Sequence, residues 1–137
     1  MPYTLIDHTA DIGIHVTGDS LKTLFADAAT AMFEQITDLS QLKGEHKKRL
    51  SVTGMDRHDL LINWLRELLC FWTIDAHLVK KVNILNLDEI RIEANVDYDS
   101  YAPDTYDINK DIKAVTYYEV SVDQTKRGWE VTVIFDV

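Results

Sequence analysis

The stretch DSLKTLFADAATAMFEQITD at residues 19–38 decides the fold class, because its apolar side chains recur at steps of three and four residues. That spacing places them on one face of an α-helix. Asp19 or Ser20 can cap the exposed amides at the start of the helix. The apolar face consists of Leu21, Leu24, Phe25, Ala28, Met32 and Ile36. The sequence therefore predicts an amphipathic helix that packs on other elements.

A second amphipathic helix is predicted to begin near Asp56, where a carboxylate beside the first helical amides is favourable. Its wide apolar face is formed by Leu61, Trp64, Leu65, Leu68, Phe71 and Trp72. Aromatic residues at this spacing are typical of a hydrophobic core. The single cysteine, Cys70, lies in the same run and is predicted to be a small buried hydrophobe in a reducing compartment.

The remaining chain is rich in short segments with the alternation of β-strands. These segments are residues 3–6, 12–17, 50–53, 82–87, 90–96, 112–122 and 130–136. Asp88-Glu89 and residues 124–128 are predicted turns. We expect residues 1–137 to form a single α+β domain, with a mostly antiparallel or mixed sheet and two amphipathic helices packed on it.

Charge and hydropathy restrict the classes of partner. The 23 acidic and 14 basic side chains give a net charge of -9, which disfavours unaided binding to a phosphate backbone. The runs Lys47-Lys48-Arg49 and Lys80-Lys81 are predicted to be solvated strand ends. No apolar stretch approaches the roughly 20 residues of a membrane span. We expect a cytoplasmic protein with no membrane partner and no direct contact with nucleic acid.

The usual catalytic motifs are absent from the sequence, among them GxSxG, GxxxxGK[ST], GxGxxG and HExxH. Asp97-Tyr98-Asp99 resembles the start of a calcium loop. The match ends there, because Ala102 and Ile108 occupy the positions that require glycine and glutamate. We therefore predict a protein without catalytic residues.

Acidic residues at both ends of the chain are the candidates for a ligand site. The segment DHTAD at residues 7–11 holds two carboxylates, an imidazole and a hydroxyl between two predicted strands. It can be a turn whose side chains bond to backbone amides. Alternatively, Asp11 can join Asp136 and the Val137 carboxylate around a hard divalent cation, which would relieve their repulsion. Oxygen ligands suit Ca²⁺, Mg²⁺ or Mn²⁺, and His8 nearby would admit a borderline metal.

Four motifs together resemble the archease family: DHTADIG at residues 7–13, LLINWL at 60–65, IKAVTY at 112–117 and VIFDV at 133–137. They span nearly the whole chain. The resemblance implies a non-catalytic activator of the GTP-dependent RNA-splicing ligase, promoting its guanylylation and multiple turnover in tRNA splicing. It also implies a divalent metal site, with Ca²⁺ the expected ion, at Asp11, Asp136 and Val137.

Three further residues, Asp7, His8 and Lys113, are predicted to support this site. Lys113 either faces solvent from a strand or pairs with Asp7 or Asp11. The chain departs from the family pattern at residues 97–111 and at Tyr118, where family members often carry histidine. Two other functions remain open: a general chaperone-like interaction module, and a hydrolase that uses Asp11, His8 and a metal-bound water.

Overall fold

A computed structural model describes residues 3–8, 11–117 and 121–137, with the side chains of Asp7 and His8 outside that description. Within these residues there are two helices and eight strands, together with a 3-10 turn at Leu39–Gln41. The helices are α1 (Leu21–Ile36) and α2 (Arg57–Thr73). The strands are β1 (Tyr3–His8), β2 (Asp11–Gly18), β3 (His46–Thr53), β4 (His77–Leu87), β5 (Arg91–Ser100), β6 (Ala114–Val115), β7 (Asp123–Thr125) and β8 (Gly128–Asp136).

Both helices begin where the sequence predicts, and each start has a side-chain cap. The Ser20 hydroxyl accepts a hydrogen bond from the Thr23 amide at 3.1 Å. The Asp56 carboxylate accepts one from the Asp59 amide at 2.8 Å. Such caps satisfy amides that have no partner inside the helix, and each typically stabilises a helix by about 1 kcal/mol.

Trp64 links the two helices. Its side chain is fully buried, and its Nε1 donates a hydrogen bond to the Phe25 carbonyl at 3.1 Å. The prediction that Trp64 belongs to the core is therefore confirmed. The prediction for Cys70 is wrong, because its side chain is exposed. Cys70 lies on the solvent stripe of α2 with the exposed Arg66 and Thr73, whereas Leu69 and Phe71 on either side of it are buried.

The strands form two antiparallel sheets. In the five-stranded sheet the order is β1-β2-β8-β6, with β7 also paired to β8. In the three-stranded sheet β5 lies between β3 and β4. Most buried apolar residues of α1, α2 and both sheets belong to one hydrophobic cluster. The predicted α+β fold is confirmed, and the sequence did not reveal that the strands divide into two sheets.

The predicted strand limits differ from the observed ones in several places. β3 begins at His46 instead of residue 50, β4 begins at His77 instead of residue 82, and β7 overlaps the predicted turn at residues 124–128. The predicted strand 90–96 ends too early, because β5 continues through Ser100. Residues 112–122 were expected to form one strand, and within the described part of that range only Ala114–Val115 is strand. Ile112 and Val115 are nonetheless buried. The apolar pattern of this segment therefore predicts burial correctly, but it overestimates the length of the strand. Within the described residues, no helix has the length and apolarity to cross a membrane.

Candidate functional site

Asp11 and Asp136 are direct cross-strand partners at one end of the five-stranded sheet. The row continues to Ala114 on β6, which pairs with Asp136 from the other side. On β1, the backbone of His8 is in register with Asp11. Side chains of directly opposed residues lie on the same face of a sheet, with Cβ atoms about 5 Å apart. The pairing therefore brings together two acidic positions separated by almost the whole chain.

The backbone around Asp136 is held by the segment that carries the IKAVTY motif. The Lys113 amide donates to the Asp136 carbonyl at 2.8 Å. The Thr116 amide and hydroxyl both donate to the Ile134 carbonyl, at 3.0 and 3.1 Å. Val137 follows Asp136 directly and is 36% exposed. The end of β8 is thus fixed on both sides, while the Asp136 side chain remains accessible to solvent.

Gly13 lets the strands pack closely beside this row. A Cβ atom added at Gly13 would lie 2.9 Å from Ile134 Cδ1 and 3.0 Å from Ile6 Cβ. A larger residue at this position would therefore require the Ile134 side chain to move and Ile6 to give by a few tenths of an ångström. The glycine of the DHTADIG motif therefore has a packing role two residues from Asp11.

The donor set of the described residues fits a hard cation only in part. Asp11 and Asp136 offer carboxylate oxygens, which Ca²⁺, Mg²⁺ and Mn²⁺ prefer. Within residues 3–8, 11–117 and 121–137, apart from the side chains of Asp7 and His8, no three His, Cys, Asp or Glu side chains converge on one point. The predicted third ligands are the Val137 carboxylate and residues 7 and 8, and a backbone carbonyl is a further type of oxygen ligand that Ca²⁺ accepts.

The structure describes the side chain of only one of the three predicted supporting residues. The side chain of Lys113 is exposed, in keeping with the solvent-facing alternative. The side chains of Asp7 and His8 lie outside the described part of the structure, so their roles stay predictions, as does the pairing of Lys113 with Asp7. Tyr118 also lies outside the described residues.

A contact between α2 and the IKAVTY segment was not foreseen from the sequence. Tyr117 donates its hydroxyl to Asp59 Oδ1 at 2.6 Å. Arg66 donates from Nε and Nη2 to the Val115 carbonyl at 3.2 and 3.1 Å, and its guanidinium lies 4.5 Å from the centre of the Tyr117 ring. The hydrogen bond lowers the pKa of Asp59 and raises the pKa of Tyr117. Both segments carry family motifs, but nothing in their spacing indicates that they meet.

The apparent calcium loop at residues 97–99 has a structural role instead. Asp99 is 4% exposed, and its carboxylate accepts backbone hydrogen bonds from Lys43 and Gly44 at 2.8 Å and from Glu45 at 3.0 Å. Burial opposes ionisation of this group, but the three hydrogen bonds outweigh it and hold the pKa of Asp99 below its usual value. Asp99 therefore anchors the loop that leads into β3.

Comparison with known proteins agrees with this geometry. A sequence profile described as the Archease protein family (MTH1598/TM1083) matches residues 3–137. The chain is similar to the protein archease of Methanosarcina acetivorans, at 33% identity over 98% of this chain and 95% of that protein. It is also similar to the protein archease of Sulfurisphaera tokodaii, at 28% identity over 98% of each chain.

The solved structures provide an independent comparison. The solution structure of protein 1598 of Methanobacterium thermoautotrophicum superposes with a TM-score of 0.85, at 29% identity and over 99% of each chain. The likeness thus covers the sequence from end to end, including both strands that carry Asp11 and Asp136. The chain therefore belongs to the archease family and is an accessory protein of RNA processing.

Proposed function

We propose that this protein activates a GTP-dependent RNA-splicing ligase without being a catalyst itself, and that it holds a divalent cation while doing so. The ligands would be Asp11, Asp136 and the terminal carboxylate of Val137, with Asp7 or His8 completing the shell and Ca²⁺ as the expected ion. The observation that carries this proposal is the cross-strand pairing of Asp11 with Asp136. Family membership supports the accessory role.

Electrostatics explains why a cation would be favourable at this position. Two carboxylates on opposed residues repel each other, and a third charge from Val137 would add to that repulsion. A divalent ion bound between them offsets these terms and also replaces part of the solvation of each group. The chain as a whole carries a net charge of -9, which raises the local concentration of cations further.

The ligase assay tests the activating role. Purified cognate ligase, confirmed to be active alone, is given GTP and tRNA halves with and without this protein. We expect faster guanylylation of the ligase and more than one ligation per ligase molecule in its presence. If both quantities stay the same over a range of protein concentrations, the proposed function is wrong.

Calorimetry with Ca²⁺, Mg²⁺ and Mn²⁺ tests the metal site separately. Asp136→Ala should weaken metal binding by at least about tenfold, because it removes one of few charged ligands. The matched control is Asp123→Ala, an equally acidic and exposed position on β7, which pairs with the opposite end of β8. Equal losses of metal affinity in the two variants would show only a general effect of charge, and Asp136 would then not be a ligand.

The terminal carboxylate can be tested without altering any side chain. A short Gly-Ser tail after Val137 replaces the carboxylate with a neutral amide carbonyl, which can still donate one oxygen to Ca²⁺. We expect weaker metal binding, and a larger loss when the tail is combined with Asp11→Asn. An N-terminal tail of the same length is the control. Unchanged affinity in the C-terminally extended protein would exclude Val137 as a ligand.

The absence of catalysis is itself testable. The isolated protein, loaded with Ca²⁺ or Mn²⁺, should show no turnover of GTP, ATP or RNA. Turnover that survives repurification and disappears in Asp11→Ala would identify a metal-dependent hydrolase instead. Suppression of the aggregation of unrelated proteins, without any effect on the ligase, would indicate the general chaperone-like role.

A further inference from the structure

The edge strand of the three-stranded sheet carries an exposed row of basic residues. β3 lies at the edge of this sheet, and residues 46–49, HKKR, are all exposed. The loop before β3 passes close to β4, because a Cβ added at Gly44 would lie 3.4 Å from Lys80 Cγ. We call this surface the basic rim; its members are Lys43, Lys47, Lys48, Arg49, Lys80 and Lys81.

The charge of the basic rim differs strongly from that of the rest of the chain. Over residues 42–45 and the strands β3, β4 and β5, seven of the 14 Lys and Arg residues, namely the rim and Arg91, stand against four acidic residues: Glu45, Glu93, Asp97 and Asp99. The local balance is therefore +3. Seven basic and 19 acidic residues remain elsewhere, a balance of -12. Since charges are screened beyond about 8 Å at physiological salt, a ligand at the rim responds mainly to the local charge.

The acidic residues near the rim leave most of its cations available, although Lys80 is half-buried and its Nζ donates to the Leu39 carbonyl at 2.8 Å. Asp99 is buried and already bound by three backbone amides. Lys47 lies 3.8 Å from Asp97 and Arg49 lies 2.7 Å from Glu93, with both basic side chains about two-thirds exposed. Exposed pairs of this kind contribute little stability, so their cations can bind a phosphate group instead. Lys48 has its Nζ 5.3 Å from the centre of the Phe71 ring.

Aromatic rings lie beside these cations. His46 is exposed, and its ring centre is 5.4 Å from that of Tyr98. The rings of His77 and Phe71 approach Tyr98 to 4.5 and 4.8 Å. Of these rings, His46 is exposed, Tyr98 and His77 are half-buried, and Phe71 is buried. Cations beside a ring that is open to solvent are typical of surfaces that bind single-stranded nucleic acid, since the ring can stack on a base while the cations contact the backbone.

We propose that the basic rim binds single-stranded RNA. An acidic protein surface is the competing partner, but protein interfaces have an apolar centre. The large exposed apolar side chains among the described residues are Leu5, Ile6, Met55, Ile74, Ile90, Tyr117 and Val137. None belongs to the rim. The expectation from the overall charge, that this chain avoids RNA, does not apply to a surface whose own balance is positive.

The basic residues of the rim could serve a purely protective role at the sheet edge, and the experiment must exclude that alternative. Lysine on an edge strand also prevents that edge from pairing with other chains. If this were the only role of the rim, neutralising it would cause self-association and would leave RNA binding unaffected. If the rim binds RNA, neutralising it should weaken RNA binding without causing self-association.

The test uses fluorescence anisotropy of the full-length protein with a fluorescein-labelled single-stranded RNA of about 20 nucleotides, a length that exceeds one binding site. Binding is measured between about 50 and 200 mM KCl, a range over which non-specific electrostatic binding weakens measurably. Three glutamine substitutions on β3 remove charge while keeping most of each side chain: Lys47→Gln, Lys48→Gln and Arg49→Gln. A control variant removes the same charge from exposed positions on α1 and the β7–β8 turn: Lys22→Gln, Lys126→Gln and Arg127→Gln.

We expect weak binding by the unmodified protein, with a dissociation constant of about 10–100 μM at the lowest salt. Three phosphate contacts predict a slope of roughly -2 in log affinity against log salt, which is about a 16-fold loss over this range. The rim variant should lose most of this binding and its slope should approach zero, whereas the control variant should bind like the unmodified protein. His46→Ala should weaken binding without changing the slope.

Three results would overturn the proposal. The first is the absence of any RNA binding at the lowest salt. The second is an equal loss in the rim and control variants, which would reflect the overall charge. The third is unchanged RNA binding in a rim variant that no longer associates with the ligase, since it would assign the rim to a protein partner. Metal affinity and ligase activation are measured separately, so failure here is distinct from failure of the proposed function.

Discussion

Replacing Asp99 with asparagine should destabilise the protein strongly although it changes one atom of the side chain. In the native protein Oδ2 accepts hydrogen bonds from the amides of Lys43 and Gly44, and Oδ1 accepts one from the amide of Glu45. An asparagine keeps only one oxygen. If that oxygen faces the first two amides, its NH₂ group faces the Glu45 amide, and two donors then oppose each other.

The cost follows from these contacts. A buried donor left without a partner costs about 1–3 kcal/mol, and two hydrogen bonds lose the contribution of the charge. We therefore expect a loss of roughly 2–4 kcal/mol in the free energy of unfolding. That is a large part of the 5–15 kcal/mol typical of a domain. Asp97→Asn is the matched control, because Asp97 makes a 3.8 Å ion pair with Lys47, whose side chain is 67% exposed, and pairs of that kind contribute below about 1 kcal/mol.

Urea unfolding of the three proteins, followed by circular dichroism at several pH values, provides the measurement. The folded pKa of Asp99 lies below its ordinary value of 3.8. Its ionised form is therefore the one that stabilises the fold. The gap between native protein and Asp99→Asn should be complete above roughly pH 5 and should shrink as the pH falls through the folded pKa. Equal stability of the Asp99 and Asp97 variants at neutral pH would refute the reasoning.

Two other predictions concern buried and half-buried side chains. Trp64→Ala should lower the free energy of unfolding by about 3–5 kcal/mol, because Trp64 is fully buried. Cys70→Ala should change it by less than about 0.5 kcal/mol, because Cys70 is exposed. Similar urea midpoints for the two variants would contradict this. Burial and the 2.8 Å hydrogen bond to Glu34 raise the pKa of Tyr3 to about 12, so the neutral phenol should stabilise the fold fully below pH 10, with that contribution lost as the pH rises towards 12. An absorbance titration that lacks a late-ionising tyrosine, or that keeps one in Tyr3→Phe, would contradict this assignment.

The helices were predictable because their signals are local. Apolar spacing, with a cap at Ser20 and another at Asp56, specifies where α1 and α2 begin, and the structure confirms both starts. The error at Cys70 has an equally local cause. Arg66, Cys70 and Thr73 are three and four residues apart and share a solvent stripe. The prediction for Cys70 relied on its apolar neighbours in sequence and overlooked that stripe.

Strand pairing was not predictable in the same way, because it joins residues far apart in sequence. Residues 112–122 alternate like a strand, but of the described residues in that range only Ala114 and Val115 pair with β8. The proximity of Asp11 and Asp136 likewise follows from the β2–β8 register. Hydrophobic alternation fixes the face on which each residue lies, but it does not tell which of the distant strands are neighbours. For the same reason, a net charge counted along the chain did not indicate the basic rim.

The helix α2 helps to keep the short strand β6 beside Asp136. β6 has only Ala114 and Val115, and the flanking Lys113 and Thr116 add hydrogen bonds to β8. The helix provides a further restraint on the other side, where Arg66 binds the Val115 carbonyl and Asp59 binds the Tyr117 hydroxyl. Since Ala114 is the register partner of Asp136, these contacts extend from the LLINWL helix to the edge of the acidic row. The motifs spread along the sequence therefore form one connected structure, which runs from α2 through the backbone of β6 to Asp136.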